Sequence, residues 1–399
     1  MQPLTKLKRI LPAIGLLLLL SPITKAQDST TTVAEPLQTV QTPNSPNPGS
    51  ESFLFTGEGS SMFIASKDGN TFVPLTLMLM PLARINDRLF LESGLKMEMQ
   101  DDGSFAFGLE ALNLHYRINS WLTVHAGKFA APWGNVLDMF GEGFVSRFPI
   151  GPIGLSDDGM APTDLVGFGA QGGFQAGTAK MLYDVYLANG PQLIVNEDGL
   201  SDNMTGHMSY ESLSDNNKNK AIGGKIGILP FSNSALQIDA FGQYTGQTGD
   251  VGSKYQDVSS SSYGADFNFY KTFNITMIRL MGQYEETKTG NATYTVTDAT
   301  GATSDYTFNN KGNSWYLAGT IRPTGSSNDF VHDLELGARY AQYDPPKNAL
   351  WGGDPSKQVT LDLTYWFTWS SQVNFGYNIQ TDAGTKLNNE FIIRTLYKF

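Results

Sequence analysis

The sequence contains no cysteine and few charged residues. Only 16% of its 399 residues are charged, against roughly 25% in typical soluble domains, and without cysteine no disulfide holds the fold together. The 27 basic and 38 acidic residues give a net charge of −11. An acidic chain argues against nucleic acid as a partner. The 42 glycines and 12% aromatic residues instead indicate β-structure with many turns.

The first 26 residues have the layout of a secretory signal. Lys6, Lys8 and Arg9 precede an apolar run from Ile10 to Leu20, and a short segment then leads to Ala26. A membrane anchor, the alternative, needs about 20 apolar residues, so we expect cleavage near Ala26. Removing residues 1–26 takes away four basic residues and no acidic one, which leaves 23 basic and 38 acidic residues and a net charge of −15. The exported chain is therefore distinctly acidic.

Residues 27–52 differ in composition from the rest of the chain. They are rich in Ser, Thr, Pro and Gln and have no aromatic residue, so they cannot bury enough apolar surface to fold. We predict a disordered leader here. Residues 53–399 contain no apolar run of the length that a transmembrane helix needs, and we predict that they form one β-barrel domain.

Alternation of apolar and polar residues dominates this domain, most clearly at its C-terminus. One face of the last segment carries Phe391, Ile393, Thr395, Tyr397 and Phe399, and the other carries Glu390, Ile392, Arg394, Leu396 and Lys398. A period of two predicts a β-strand with one apolar and one polar face. The segment around Glu110 and Ala111 breaks the alternation, which indicates a bulge or an error in the strand boundary.

Sixteen segments follow this pattern. They begin near residues 53, 71, 88, 104, 121, 166, 179, 220, 235, 261, 274, 312, 331, 357, 372 and 389. The long gaps all follow odd-numbered segments, so the long connections lie at one end. This asymmetry is typical of a closed antiparallel transmembrane β-barrel with short periplasmic turns and long outer loops, and a secreted β-sandwich would not show it. The fold class that we predict is all-β.

Aromatic residues support this placement in a membrane. Several of them recur where the predicted strands meet the short turns: Tyr116, Trp121, Tyr270, Phe273, Trp366, Trp369, Tyr397 and Phe399. A girdle of Trp and Tyr at the membrane surface has this distribution. For any single residue, ordinary packing is an equal alternative.

Four segments resemble a known family. The motifs GKFAAPWG (Gly127 to Gly134), RFPIGPIG (Arg147 to Gly154), TDLVGFGAQ (Thr163 to Gln171) and LYDVYLANG (Leu182 to Gly190) are similar to the stretch around the long third loop of Gram-negative outer-membrane porins related to the phosphate-selective type. The terminal Phe399, with Tyr397, looks like the signal that the outer-membrane assembly machinery reads.

The resemblance implies a trimeric pore of sixteen strands. In such a pore the loop from Pro132 to Leu165 would fold inward and narrow the lumen. Phosphate channels of this family line the lumen with Arg and Lys, and this chain departs from that pattern. The predicted pore lining is of mixed charge, with the candidate residues Lys96, Glu98, Asp184, Lys225, Asp239, Arg279, Glu335, Arg339, Asp362 and Arg394.

The predicted constriction loop is acidic. It carries one basic residue, Arg147, and five acidic ones, Asp138, Glu142, Asp157, Asp158 and Asp164. Such a loop favours a passing cation, so we expect a weak cation preference. The alternative for each of these carboxylates is an ordinary solvated loop position.

The sequence offers little for catalysis or metal binding. None of His115, His125, His207 and His332 shares a predicted site with a nucleophile. His115 and His125 could ligate a metal across a hairpin, but exposed turn histidines are commoner. The segments SDDG (156–159) and NEDG (196–199) lack the spacing of a recognised calcium loop. We therefore expect neither a cofactor nor enzymatic activity.

The function that this sequence favours is passive diffusion of small hydrophilic solutes and ions through an outer-membrane porin. The expected partners are outer-membrane lipid, solutes and ions, the assembly machinery and two further copies in a homotrimer. An adhesin or structural barrel is the main alternative. An anion-selective porin and a barrel enzyme are less favoured.

Overall fold

The computed structural model describes residues 52–100, 102–135, 147–155, 160, 162–196, 204–210, 213–298, 300–382 and 385–399. The predicted signal peptide (1–26) and all but the last residue of the predicted leader (27–52) lie outside this part of the chain. Within it, no helix is both long and apolar enough to span a bilayer.

Sixteen strands pair in a closed antiparallel barrel, as the alternation predicts. In order around the barrel they are β1 Ser52–Ser66, β2 Gly69–Arg84, β3 Leu89–Met99, β4 Phe105–Arg117, β5 Thr123–Ala130, β6 Asp164–Ala176, β7 Ala179–Asn189, β10 Lys220–Leu229, β11 Leu236–Thr245, β12 Ser260–Phe273, β13 Thr276–Thr289, β16 Lys311–Arg322, β17 Leu334–Asp344, β18 Ser356–Thr368, β19 Ser371–Asp382 and β20 Thr385–Lys398.

Four short strands lie outside the barrel, in its connections. β8 Gln192–Leu193 pairs with β9 Met208–Ser209, and β14 Tyr294–Thr297 pairs with β15 Thr303–Tyr306. A helix of four residues, Asp329–His332, precedes β17. The Asn328 side chain caps this helix by accepting the backbone N–H of Val331 at 3.2 Å. The cap explains why β17 begins at Leu334 and not near the predicted residue 331.

The broken alternation in β4 is a bulge. Gly94 of β3 pairs with Ala111, whereas the next residue, Leu95, pairs with Leu109, so the register skips Glu110. The extra residue shifts the phase of the strand by one position. Side chains on the two sides of Glu110 therefore keep their apolar and polar faces.

Burial confirms the two faces of the strands. In β20, Ile392 and Leu396 are buried, whereas Phe391 and Tyr397 are at least 40% exposed on the other face. The same alternation places Thr360 and Thr364 of β18 inside the barrel with no exposed surface. The outer face is apolar and the inner face is mainly polar, which is the reverse of a soluble β-sandwich.

The first and last strands close the barrel. β1 and β20 pair from Glu58 with Lys398 to Ser66 with Glu390. Beyond that register, Gly57 and Phe399 exchange two main-chain hydrogen bonds of 3.0 Å each, and the Thr56 hydroxyl donates to the Phe399 carbonyl oxygen at 2.9 Å. Only glycine fits at position 59, because the ring of Tyr397 occupies the space that a Cβ would need.

The connections are longer at one end of the barrel. That end carries the segments 131–163, 190–219, 246–259 and 290–310, whereas most turns at the opposite end are as short as 177–178 and 274–275. The connection 323–333 is an exception at the short-turn end, because it contains the helix. We refer to the end with the long segments as the loop end.

Several connections at the loop end pack against one another. Their buried cluster contains Leu193, Met208, Tyr210, Tyr255, Val258, Tyr294 and Phe308. Burial raises the pKa of the Tyr294 hydroxyl and of the Tyr210 hydroxyl, although Tyr210 hydrogen-bonds Ser260 and Ser262 at 3.0 and 2.9 Å. The loops thus form an ordered apolar cap beside the mouth of the barrel.

Deleting Phe399 should destabilise the barrel at its seam. The deletion removes both bonds to Gly57 and the bond from Thr56, a loss of about 2–3 kcal/mol at roughly 1 kcal/mol per hydrogen bond. We expect the folded band on a denaturing gel to convert to the unfolded band at a lower temperature than in the wild type. Phe399→Leu keeps the main-chain bonds and should convert close to the wild-type temperature. Equal loss in both variants would show that the ring, and not the backbone seam, stabilises this end.

Candidate functional site

The described parts of the connection between β5 and β6 (131–163) lie inside the barrel and contact its inner wall. The described residues of this connection are 131–135, 147–155, 160 and 162–163. They hydrogen-bond or pack against residues of strands from β11 to β18, as set out below. The inward-folded loop implied by the family resemblance is therefore confirmed, and we call residues 131–163 the inner loop.

Trp133 and Asn135 anchor the start of the inner loop. The indole N–H of Trp133 donates to Glu285 of β13 at 3.0 Å, and the ring packs in a buried cluster with Phe241. The Asn135 backbone N–H donates to Gln283 at 2.9 Å. Its side-chain amide donates to the carbonyl oxygen of Phe267 at 2.9 Å and to that of Gly282 at 3.2 Å. Tyr316 of β16 hydrogen-bonds the same amide.

Arg147 anchors the loop farther along the wall, on β17. Its Nε donates to Glu335 of β17 at 3.1 Å, and the Glu335 side chain is only 1% exposed. Glu335 also accepts from the hydroxyl of Thr320 at 2.7 Å and from the indole of Trp366 at 3.1 Å. The guanidinium carbon of Arg147 lies 4.7 Å from the centre of the Trp366 ring. Arg147 is thus held by the buried Glu335 carboxylate and by the ring of Trp366.

The segment after Arg147 follows the wall of β17. Arg339 donates to the carbonyl oxygens of Ile150 and Gly151, each at 2.8 Å, and lies 5.0 Å from the ring centre of Phe148. A guanidinium has five donors in a planar fork, which suits it to hold a loop by its backbone oxygens. Arg339 therefore fixes the loop in addition to contributing a charge.

Hydroxyl groups fix the last part of the loop. Ser314 of β16 donates to the Ile153 carbonyl oxygen at 2.8 Å. Thr287 of β13 donates to the Met160 carbonyl oxygen at 2.6 Å. With these contacts the inner loop is attached to the wall at four places spread over β12 to β18. The positions of its described parts are therefore determined by the barrel wall.

Two of the six predicted constriction residues lie in the described part of the chain. Arg147 pairs with Glu335. Asp164, at the start of β6, forms an ion pair with Lys128 at 3.0 Å. Asp138, Glu142, Asp157 and Asp158 lie outside the described residues. The acidity predicted for the loop is thus untested at four of its five carboxylates.

The ten predicted pore-lining residues lie on inward faces, and several have a partner of opposite charge. Lys96 pairs with Glu98 at 2.7 Å and Lys225 with Asp239 at 3.9 Å. Most of the ten side chains are buried by the wall and the inner loop, with exposures of 9% or less for Lys96, Asp239, Arg279, Glu335, Arg339, Asp362 and Arg394. A role in lining an open pore stays a prediction for all of them.

Four others of the ten contact neutral side chains or a histidine, among other groups. Asp362 accepts the Thr364 hydroxyl at 2.6 Å, and Arg394 donates to the Asn374 side-chain oxygen at 3.1 Å. Arg279 donates to Asn268 at 3.4 Å. Asp184 lies 3.9 Å from Nε2 of His125. Neutral polar side chains of the wall therefore hydrogen-bond several of its charged groups.

The histidines of β4 and β5 are buried, and the expectation that they are exposed in a turn was wrong. His115 and His125 are each 4% exposed and are direct cross-strand neighbours, with ring centres 5.3 Å apart. Glu92 hydrogen-bonds Nε2 of His115 at 3.0 Å. The phase of β4 after the bulge, with Asn113 and His115 on the buried face, would have placed them inside. No group of three or more His, Asp and Glu side chains in the described residues is arranged to hold a metal ion.

Trp366 is a second correction. It was predicted to lie in a girdle at the membrane surface, but it is 5% exposed on the inner face. Its neighbour Phe367 points outward and is 60% exposed. An aromatic residue near a strand end has two faces available, and the exact register decides between them.

Comparison with solved structures shows outer-membrane proteins of similar fold. The OmpF protein of Salmonella typhi, in complex with daunomycin, has a TM-score of 0.55 and 12% identity over 88% of this chain and 99% of that chain. The outer-membrane channel DcaP of Acinetobacter baumannii has a TM-score of 0.53 and 12% identity over 88% and 98%. OmpT of Vibrio cholerae, in a trimer form, has a TM-score of 0.52 and 16% identity over 88% and 99%. At these identities the likeness shows the fold.

Comparison of sequences adds no closer relative. No protein-family model matches the chain, and no curated protein matches it either. The phosphate-selective type of porin is therefore not confirmed as its family.

Breaking the Arg147 anchor should loosen the inner loop. In Arg147→Met the buried Glu335 carboxylate loses its charged partner, at a cost of about 2–3 kcal/mol. We expect proteinase K to cleave residues 131–163 of the folded barrel several times faster than in the wild type.

The matched control is Arg84→Met. Arg84 pairs with Asp87 in an exposed turn, with side chains 49% and 85% exposed, and exposed pairs contribute less than about 1 kcal/mol. Its cleavage rate in the inner loop should equal that of the wild type. An unchanged rate in Arg147→Met as well would show that the other anchors suffice to hold the loop.

Proposed function

We propose that this protein is an outer-membrane porin, a channel for the passive diffusion of small hydrophilic solutes and ions. The observation that carries the proposal is a closed barrel with an apolar outer face, whose mainly polar interior is crossed by an anchored loop. A barrel with a polar interior holds water, and a loop fixed across it sets the width of the passage. The similarity of this fold to OmpF of Salmonella typhi also supports a channel. The described residues contain no helical plug inside the barrel.

Export, localisation and assembly belong to the proposal. Residues 1–26 would be removed as a signal peptide, the leader 27–52 would stay disordered, and the barrel would insert into outer-membrane lipid. Tyr397 and Phe399 would be recognised by the outer-membrane assembly machinery. A homotrimer is supported by the trimer form of the OmpT structure.

The ion preference that we propose is a weak one for cations. Many charges of the described wall are compensated, because Arg147 pairs with Glu335, Lys128 with Asp164, and Lys96 with Glu98. A compensated pair produces little field beyond a Debye length, about 8–10 Å at physiological salt. The selectivity would then depend on the loop carboxylates Asp138, Glu142, Asp157 and Asp158.

Reversal potentials in a salt gradient test this proposal. We expect the purified protein to form channels in a planar bilayer with a modest preference for potassium over chloride that is strongest at low salt. Changing Asp138, Glu142, Asp157 and Asp158 to Asn or Gln should move the permeability ratio towards one. A control with Asp68, Asp87, Asp102 and Asp329 changed to Asn, all exposed in connections, removes the same charge and should keep the wild-type ratio.

Other outcomes would redirect the proposal. Clear anion selectivity in the wild type would favour the phosphate-selective alternative and make Lys128, Arg147 and Lys180 the residues to change. A folded and inserted barrel without conductance would favour an adhesin, for which the ordered cap of loops at the loop end is the supporting observation. We propose no enzymatic activity for this barrel.

The orientation in the membrane makes a separate prediction. If the loop end faces the cell exterior, epitope tags inserted at Gly199 and Gly301 should be labelled on intact cells. A tag at Gly325, in the connection 323–333 at the short-turn end, should be labelled only after the outer membrane is permeabilised. Gly301 has a φ of 83° and open space around it, so an insertion there should not disturb folding. Labelling at Gly325 on intact cells would reverse the orientation.

A further inference from the structure

A groove of about 460 Å³ lies at the short-turn end, where the turn 230–235 meets the end of β12. Its walls include Phe231, Ser232 and Asn233 from the turn and Phe269, Lys271 and Phe273 from β12. None of these residues belongs to the inner loop or to the predicted pore lining.

The groove is on the outer surface of the barrel. Side chains of β12 alternate between the two faces, and Asp266, which is 5% exposed, marks the inner one. Phe269, Lys271 and Phe273 have the opposite parity, so they face the surroundings together with Tyr263, which is 48% exposed. A ligand in this groove would lie beside the barrel and not in its lumen.

The chemistry of the groove is divided between an apolar and a cationic part. Phe231 and Phe273 are 53% and 45% exposed, so their rings offer surface that this chain leaves open. The ammonium group of Lys271 lies 5.0 Å from the centre of the Phe273 ring and pairs with no carboxylate of the described residues. Ser232 and Asn233 add hydroxyl and amide groups at the rim.

We propose that this groove binds one glycerophospholipid, with its phosphate at Lys271 and the first part of an acyl chain along Phe231, Phe269 and Phe273. The proposal rests on the proposed outer-membrane location. At the short-turn end of such a barrel, lipid headgroups lie level with the last residues of the strands, where aromatic residues and lysines meet the membrane surface.

Charge and shape favour this occupant over others. An amphipathic ligand with a phosphate matches a cationic group beside aromatic walls, and basic pockets at this depth bind lipid headgroups. Because no described carboxylate compensates Lys271, an anionic lipid should bind better than a zwitterionic one, by about fivefold for one lysine near the surface. Phosphatidylglycerol is therefore the preferred probe.

Native mass spectrometry of the delipidated full-length protein in detergent tests the proposal. With added dioleoyl phosphatidylglycerol we expect one retained lipid per chain, and with dioleoyl phosphatidylcholine about fivefold less. Lys271→Gln should lower phosphatidylglycerol binding about fivefold, to the level of phosphatidylcholine. Lys357→Gln is the matched control, because Lys357 is exposed on the outer face of β18 at the loop end, and it should bind like the wild type.

A second pair of variants tests the apolar part. Phe231→Ala should lower retention of both lipids, because it removes an acyl contact and no charge. Phe168→Ala removes an outward ring of β6 that is 69% exposed and lies outside the groove, and it should have no effect. Glycerol 3-phosphate at the lipid concentration should not displace phosphatidylglycerol, because it lacks the acyl chains. Folding of every variant is checked by its heat-modifiable mobility on a denaturing gel.

Several results would overturn the proposal. Undiminished phosphatidylglycerol binding by Lys271→Gln would show that Lys271 does not contact the phosphate. Equal losses of binding in Lys271→Gln and Lys357→Gln would show that the lipid binds to surface charge in general. If the wild type retained detergent but no added lipid, the groove would be a detergent site and the proposal would be wrong. Bilayer conductance separates this proposal from the channel, since Lys271→Gln should conduct as the wild type does. A wild type that retains lipid but does not conduct would contradict the channel alone.

Discussion

The structure depends on the pairing of every strand edge. A strand surrounded by hydrocarbon finds no water for its N–H and C=O groups, and each group left without a bond costs several kcal/mol. The chain meets this requirement by pairing β20 with β1 and by extending the seam to Phe399. Once the sheet is closed, each strand has one face towards the interior and one towards the surroundings, and the bulge at Glu110 keeps these faces in phase.

The inner loop shows how the interior is organised around that wall. Its backbone oxygens are held by Arg339, Ser314 and Thr287, and its one described charge, Arg147, is bound to the buried Glu335. Burying an arginine and a carboxylate is expensive unless each has further partners, and Thr320 and Trp366 supply them here. Arg147 and Glu335 largely cancel each other's charge, so this pair contributes little to the field in the interior, whereas Arg339 holds the loop through neutral carbonyl oxygens.

The strands were predictable from the sequence because their signal is local. A period of two can be read within about ten residues, which is why all sixteen strands and the bulge follow from it. The anchors could not be predicted, since Arg147 and Glu335 are 188 residues apart and no local pattern joins them. Trp366 was misplaced because its face depends on the exact register near a strand end, where the sequence pattern is weakest. His115 and its cross-strand partner His125 were misplaced because the bulge at Glu110 shifts the phase of β4.

The alternation also separates two kinds of surface on one strand. In β12, Asp266 faces the interior whereas Lys271 and Phe273 face outward beside the groove. In the proposed outer-membrane porin, neighbouring positions would meet water and hydrocarbon on opposite sides of a single layer of backbone. A change on the inner face would then alter the charge or width of the passage and leave the outer surface as it was. Contacts with lipid and contacts with solute could accordingly vary independently, provided that the backbone pairing between strands is preserved.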